Sequence, residues 1–155
     1  MSLEDALATL RGQVGTEVHV SPWIAVDQER VLAFAHATGD HQWIHVDPQR
    51  AGEESAWGGT IAHGYLTLSL YPMLRGLVEE GRPPYPGVRN VINYGINKLR
   101  FPAAVPVGSR LRLRSTLLGV DEVAGGLQLV ESGTFEVEGG PKPACVAELL
   151  MRLYF

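Results

Sequence analysis

Cysteine is almost missing: Cys145 is the only one in 155 residues. A lone thiol closes no internal disulfide, so the chain must rely on its core, and the reducing cytoplasm is its natural compartment. Cys145 itself lies in an apolar stretch and reads as a small core residue rather than a nucleophile. Basic residues are in the minority, 13 against 17 acidic ones for a net charge of −4. That leaves no basic footprint for nucleic acid or an anionic membrane as the main partner. Long hydrophobic runs are also missing. The longest apolar segment, Ile61 to Met73, is interrupted by His63, Thr67 and Ser69 and is too short to span a bilayer. The opening MSLEDALATLRGQ carries acids early and no long apolar run, so no secretory signal is expected. No GxSxG elbow, Walker loop or GxGxxG occurs, which removes support for serine hydrolysis or nucleotide binding by those routes. His36, His41, His45 and His63 have neither paired cysteines nor a His-Glu-x-x-His helix beside them, so no metal centre is expected.

What is present is ordinary globular material, 45% hydrophobic and 19% charged. The length fits a single domain over residues 1–155, and a chain of this size buries roughly 68–70% of its unfolded surface. Ser2 to Leu10 reads as a short capped helix with Leu3, Ala6, Leu7 and Leu10 on one face. Thr16 to Val20 reads as a strand broken by Ser21-Pro22. Asp27 caps a second helix with Val31, Leu32, Phe34 and Ala35 as its apolar stripe, and Gly39 is its left-handed stop. Asp47-Pro48 starts a third, short one. From Ile61 to Leu77 the residues are apolar on nearly every side, so a helix buried almost all round is expected at the centre of the fold. GRPPYPG, from Gly81 to Gly87, must be irregular. Beyond it the apolar period changes to two, giving four long antiparallel strands, and the arginines at 110, 112 and 114 read as a solvated face. Helices first and a strand meander afterwards call for a sheet curved around the central helix.

The chemistry concentrates between Gly39 and Gly64, GDHQWIHVDPQRAGEESAWGGTIAHG. Asp40 and His45 stand five apart in a short loop, and a carboxylate with an imidazole can share one water or one substrate proton. A structural role for both in loop hydrogen bonding is the competing explanation. Gly39 lets the chain turn before Asp40, and Trp43 and Ile44 between the pair are expected to desolvate both groups. His63-Gly64 opens the buried helix, where free N–H groups and the absent side chain of Gly64 suit an oxyanion. Equally, Gly64 could serve only close packing and His63 only a cap.

The stretch FAHATGDHQWIHVDPQRAGEESAWGGTIAHGYLTLSL, with NVINYGINKLRFPAAVPVGSRLRL after it, resembles the MaoC-like or hydratase 2 family of (R)-specific enoyl-CoA hydratases over essentially the whole chain. The wording WIHVD and NYGINKLRF is most similar to the branch with nodulation protein N-like dehydratases. The resemblance implies an α+β hot dog fold and a homodimer. It further implies Asp40 and His45 as the catalytic pair and His63-Gly64 as the oxyanion side, with an acyl-CoA thioester as substrate and no separate cofactor, coenzyme A being part of the substrate. Gln42 and Trp43 stand where most members carry Asn and Pro. Lys98 and Arg100 are the candidates for the coenzyme A tail. An acyl-CoA thioesterase and a non-catalytic acyl-binding subunit are the alternatives.

Overall fold

Three of the first four helices begin where a side chain takes up one of their free N–H groups. In the computed structural model, which describes residues 1–155, α1 runs Leu3–Gln13 behind a Ser2–Asp5 capping box. α2, Gln28–Thr38, is capped by Asp27 and stopped by Gly39 at φ 81°. α3, Trp43–Val46, is a single helical turn, and α4, Pro48–Glu54, starts on the Asp47 carboxylate. Two short strands come early, β1 at Glu17–Val20 and β2 at Ile24–Ala25. Four long ones follow: β3 Asn90–Arg100, β4 Arg110–Val123, β5 Gly126–Val137 and β6 Cys145–Tyr154.

The strands form one antiparallel sheet in the order β1-β4-β5-β6-β3, with β2 also on β4. Register shifts between Leu117 and Gly119 in β4 and at two places in β3 add the local twist that bends a sheet. Its concave face is built by alternate residues. Leu111, Leu113 and Leu117, then Leu127, Leu129 and Phe135, then Cys145, Met151 and Leu153 are buried in one core. The fold is α+β of the hot dog type, a curved sheet around a central helical segment.

That segment differs from the single helix expected over Ile61–Leu77. It consists of α5, Gly64–Ser69, and α6, Tyr71–Leu74. Pro72 has no N–H to offer the Leu68 carbonyl, so the ladder is interrupted there. Ile61 lies outside it and bridges to Pro106. Burial is one-sided: Leu66, Thr67, Leu70, Tyr71 and Leu74 face the sheet, whereas Tyr65 is 66% and Met73 41% exposed.

The arginine face matches its expectation. Arg110, Arg112 and Arg114 pair with Glu138, Glu136 and Glu17 on the outer side of the sheet. Facing inward is a buried ion pair that the sequence did not announce. Arg75, just past α6, grips Glu131 of β5 through two hydrogen bonds of 2.9 Å, and Tyr71 and Tyr85 donate to the same carboxylate. The Tyr85 bond ties the GRPPYPG loop to the core.

Candidate functional site

The polypeptide reaches the site three times. The end of α2 delivers Asp40, the turn α3 delivers His45, and the start of α5 delivers His63 and Gly64. Asp40 follows the left-handed Gly39, and its Oδ1 accepts the Gln42 N–H at 3.3 Å, an Asx-type turn that leads into α3. His45 lies on α3 and is buried, 6% exposed. Its Nδ1 is 2.7 Å from the Ile61 carbonyl. A carbonyl only accepts, so Nδ1 carries the proton and Nε2 presents a lone pair. The Ile61 N–H in turn donates to the Ile44 carbonyl, which sews α3 to the strand-like approach to α5.

His63 is 3% exposed. Its Nε2 lies 2.9 Å from the main-chain carbonyl of Asp40, and its ring stacks on that of His45 with centroids 3.8 Å apart and planes at 25°. Asp40, His45 and His63 thus each bring one potential ligand atom within 4.8 Å of the others. Spacing rules had not foreseen this grouping. Two imidazoles stacked face to face hold their ring nitrogens in near-parallel planes, whereas a tetrahedral ion needs them to converge. The arrangement therefore suits proton handling better than metal binding.

Burial acts on the two members of the pair unequally. It pushes the His45 imidazole below its ordinary value, assisted by the neighbouring His63, while the bond to Ile61 and the charge of Asp40 oppose it. Asp40 is exposed, so the desolvation expected from Trp43 and Ile44 reaches His45 only. Trp43 is engaged elsewhere, its ring 4.4 Å beneath the Arg50 guanidinium.

His45 and Gly64 line one cavity of about 270 Å³, walled by Trp57, Thr67, Phe101 and small residues that include Ala62 and Ala144. The Gly64 N–H has no acceptor within the chain. A Cβ at Gly64 would sit 3.1 Å from the Phe101 ring, so any larger residue here makes that ring give way by a few tenths of an ångström. Phe101, Thr67 and Ala144 are not among the site residues expected from the sequence. Phe101 and Ala144 signal only apolar character in the sequence, which every core residue shares, and Thr67 only a polar break in an apolar run. A larger hollow of about 520 Å³ between Pro72, Tyr85 and Asn93 contains none of the candidate residues. Lys98 and Arg100 are exposed on β3, away from this cavity's lining, with Lys98 3.9 Å from Glu148.

Comparison with known proteins gives concordant results. Residues 10–138 match the family described as the MaoC like domain. The chain is 50% identical over 149 residues to the 3-hydroxyacyl-thioester dehydratase Z of Mycobacterium tuberculosis, covering 96% of this chain and 95% of that protein. It is 41% identical over 154 residues to nodulation protein N of Rhizobium leguminosarum bv. viciae, covering 98% and 93%. Among solved structures it superposes on the unliganded R-hydratase PhaJ1 of Pseudomonas aeruginosa with a TM-score of 0.69 at 21% identity, over 91% of this chain and 81% of that one. At that identity the structural likeness establishes the fold alone.

Proposed function

Since the chain belongs to the MaoC-like domain family, we propose that it adds water reversibly across a trans-2-enoyl-CoA, giving the (R)-3-hydroxyacyl-CoA. The reverse direction is the dehydration for which its mycobacterial relative is named. The observation that carries this reading is the opening of His45 and the unbonded Gly64 N–H into one cavity.

Hydration needs a base for the water, a proton for the α-carbon and a donor for charge developing on the thioester oxygen. His45 Nε2 is a lone pair held in place by the bond from Nδ1–H to Ile61, and burial disfavours protonation of the ring. The Asp40 carboxylate stands beside it with solvent access. Together they orient and deprotonate one water and return a proton to the α-carbon on the same face of the substrate. The His63-Gly64 step turns the Gly64 N–H towards the thioester oxygen. Such a donor is worth roughly 3–4 kcal/mol in the transition state. A cavity of about 270 Å³ falls below the ~300–1,000 Å³ of whole-ligand pockets, which fits the acyl part with coenzyme A remaining outside. No further cofactor enters the scheme.

The protein acts as a homodimer in this reading. β3 is an edge strand of 11 residues, exposed along most of its length, and it carries exposed Ile92, Tyr94 and Ile96. An unpaired edge of this length with apolar side chains exposed is a template for pairing with a second chain. With one free, buried cysteine, the cytoplasm is the proposed compartment.

Incubation with crotonyl-CoA tests the reaction. Loss of enoyl absorbance without free thiol, and a 3-hydroxyacyl product of the (R) hand, is the expected result. Thiol release would identify a thioesterase, and an (S) product would contradict the assigned face. Light scattering on the eluted protein is expected to give twice the chain mass.

A further inference from the structure

The scheme above leaves the buried side chain of His63 unused. His63 donates from Nε2–H to the Asp40 main-chain carbonyl at 2.9 Å, so its Nδ1 is a bare lone pair. That Nδ1 and Ser115 Oγ are the buried side-chain polar atoms without a partner. A group left in that state in a packed interior calls for an explanation beyond hydrogen bonding. Its contacts supply one. The ring is stacked on His45 at 3.8 Å and touches Phe34 of α2 at 4.9 Å with planes at 56°. It is therefore wedged between α2, the loop carrying Asp40 and the turn carrying His45.

We propose that the His63 side chain is a positioning residue, which fixes the Asp40 loop to the His45 ring and holds that ring with Nε2 facing the substrate water. Two fixings meet at His45. The Ile61 carbonyl sets which nitrogen bears the proton, and the face of His63 sets the tilt of the ring about that bond. At Asp40 the bond goes to the main chain, so the carboxylate stays free for chemistry. The groups whose charge acts on His45 are Asp40 and His63. Loss of His63 removes one of the influences that hold the His45 imidazole low.

The inference rests on the hydratase reading, and its test separates the two. Ring ¹⁵N NMR of His45 is recorded against pH for the wild type, His63→Phe and His63→Gln, beside kcat and KM with an enoyl-CoA. Phe keeps an aromatic face against His45 and loses the bond to Asp40, whereas Gln retains a donor and loses the stack. The wild type is expected to show His45 as a single Nδ1–H tautomer. His63→Phe is expected to raise the His45 titration midpoint, mix its tautomers and lower kcat by about 10- to 100-fold, the scale of a displaced catalytic group, with KM within about threefold. His63→Gln should recover part of kcat. An unchanged His45 spectrum in folded His63→Phe overturns the proposal, as does wild-type kcat. Should His63→Phe fail to fold, an unchanged His45 spectrum in His63→Gln, which lacks the stack, overturns it equally. A wild type that shows the expected spectrum without hydrating any enoyl-CoA would overturn the hydratase reading and leave the positioning role standing.

Discussion

The two ends of the central helical segment carry similar chemistry put to opposite ends. At the far end, Arg75 and Glu131 are buried and closed: both carboxylate oxygens are bonded, to Arg75, Tyr71 and Tyr85. Burial and the adjacent carboxylate push both tyrosines up, and Arg75 is held protonated against the burial that would lower it. A cluster bonded internally in this way leaves little capacity for an outside molecule. At the near end the groups are open. The Gly64 N–H has no acceptor, His45 Nε2 bears a lone pair and Asp40 reaches solvent. A fully satisfied polar cluster specifies packing, while one with spare donors and acceptors has capacity left for a substrate.

Variants can break this contrast at either end. Asp40→Asn should lower kcat/KM by about 10²–10⁴-fold, the range for loss of general acid–base catalysis, with an unchanged melting temperature. Glu131→Ala reverses the pattern. Removing one partner of a buried pair costs about 3–5 kcal/mol, read as a lower urea midpoint, while activity per folded molecule persists well below the transition. Gly64→Ala forces the Phe101 ring to yield at 3.1 Å. Its effect on kcat should fall short of the roughly 10²–10³-fold loss of an oxyanion donor, and adding Phe101→Ala should restore part of it. The pH profile sharpens the contrast further. Because His45 is held below 6.5 and must be neutral to act as base, activity persists as pH falls through 6.5 and is lost only at lower pH. A kcat/KM profile with its acid limb above 6.5 would contradict this. Smallest is Arg114→Ala on the outer face, where loss of the exposed pairs with Glu17 and Glu136 should leave the urea midpoint almost unchanged.

Local chemistry made one half of this picture legible in the sequence. Asp27, Gly39 and Asp47-Pro48 announce their helix ends because caps act over three or four residues. Period-two alternation marks β4 to β6 for the same reason, and Asp40 and His45 stand only five residues apart. What escaped depends on distance along the chain. His63 meets the Asp40 carbonyl across 23 positions, and Arg75 meets Glu131 across 56. A faint signal existed for the second pair: Glu131 has the same parity as Leu127, Leu129 and Phe135, so its alternation already placed a carboxylate inside the sheet. Pro72 likewise marked the break between α5 and α6 within an apolar run that otherwise read as one helix. Tyr65 and Met73 read as core because the sequence shows apolar character but not which face of a helix meets the sheet.

The central claim is that Asp40 and His45 act as one unit on a single water. Hydration rates of Asp40→Asn, His45→Gln and the double variant, measured on folded protein with saturating enoyl-CoA, test it most directly. Groups sharing one proton path are strongly non-additive, so the double variant should be no more than a few-fold slower than the slower single variant. Losses that multiply in the double variant would mean that the two side chains serve separate steps, and the shared-water account would fall.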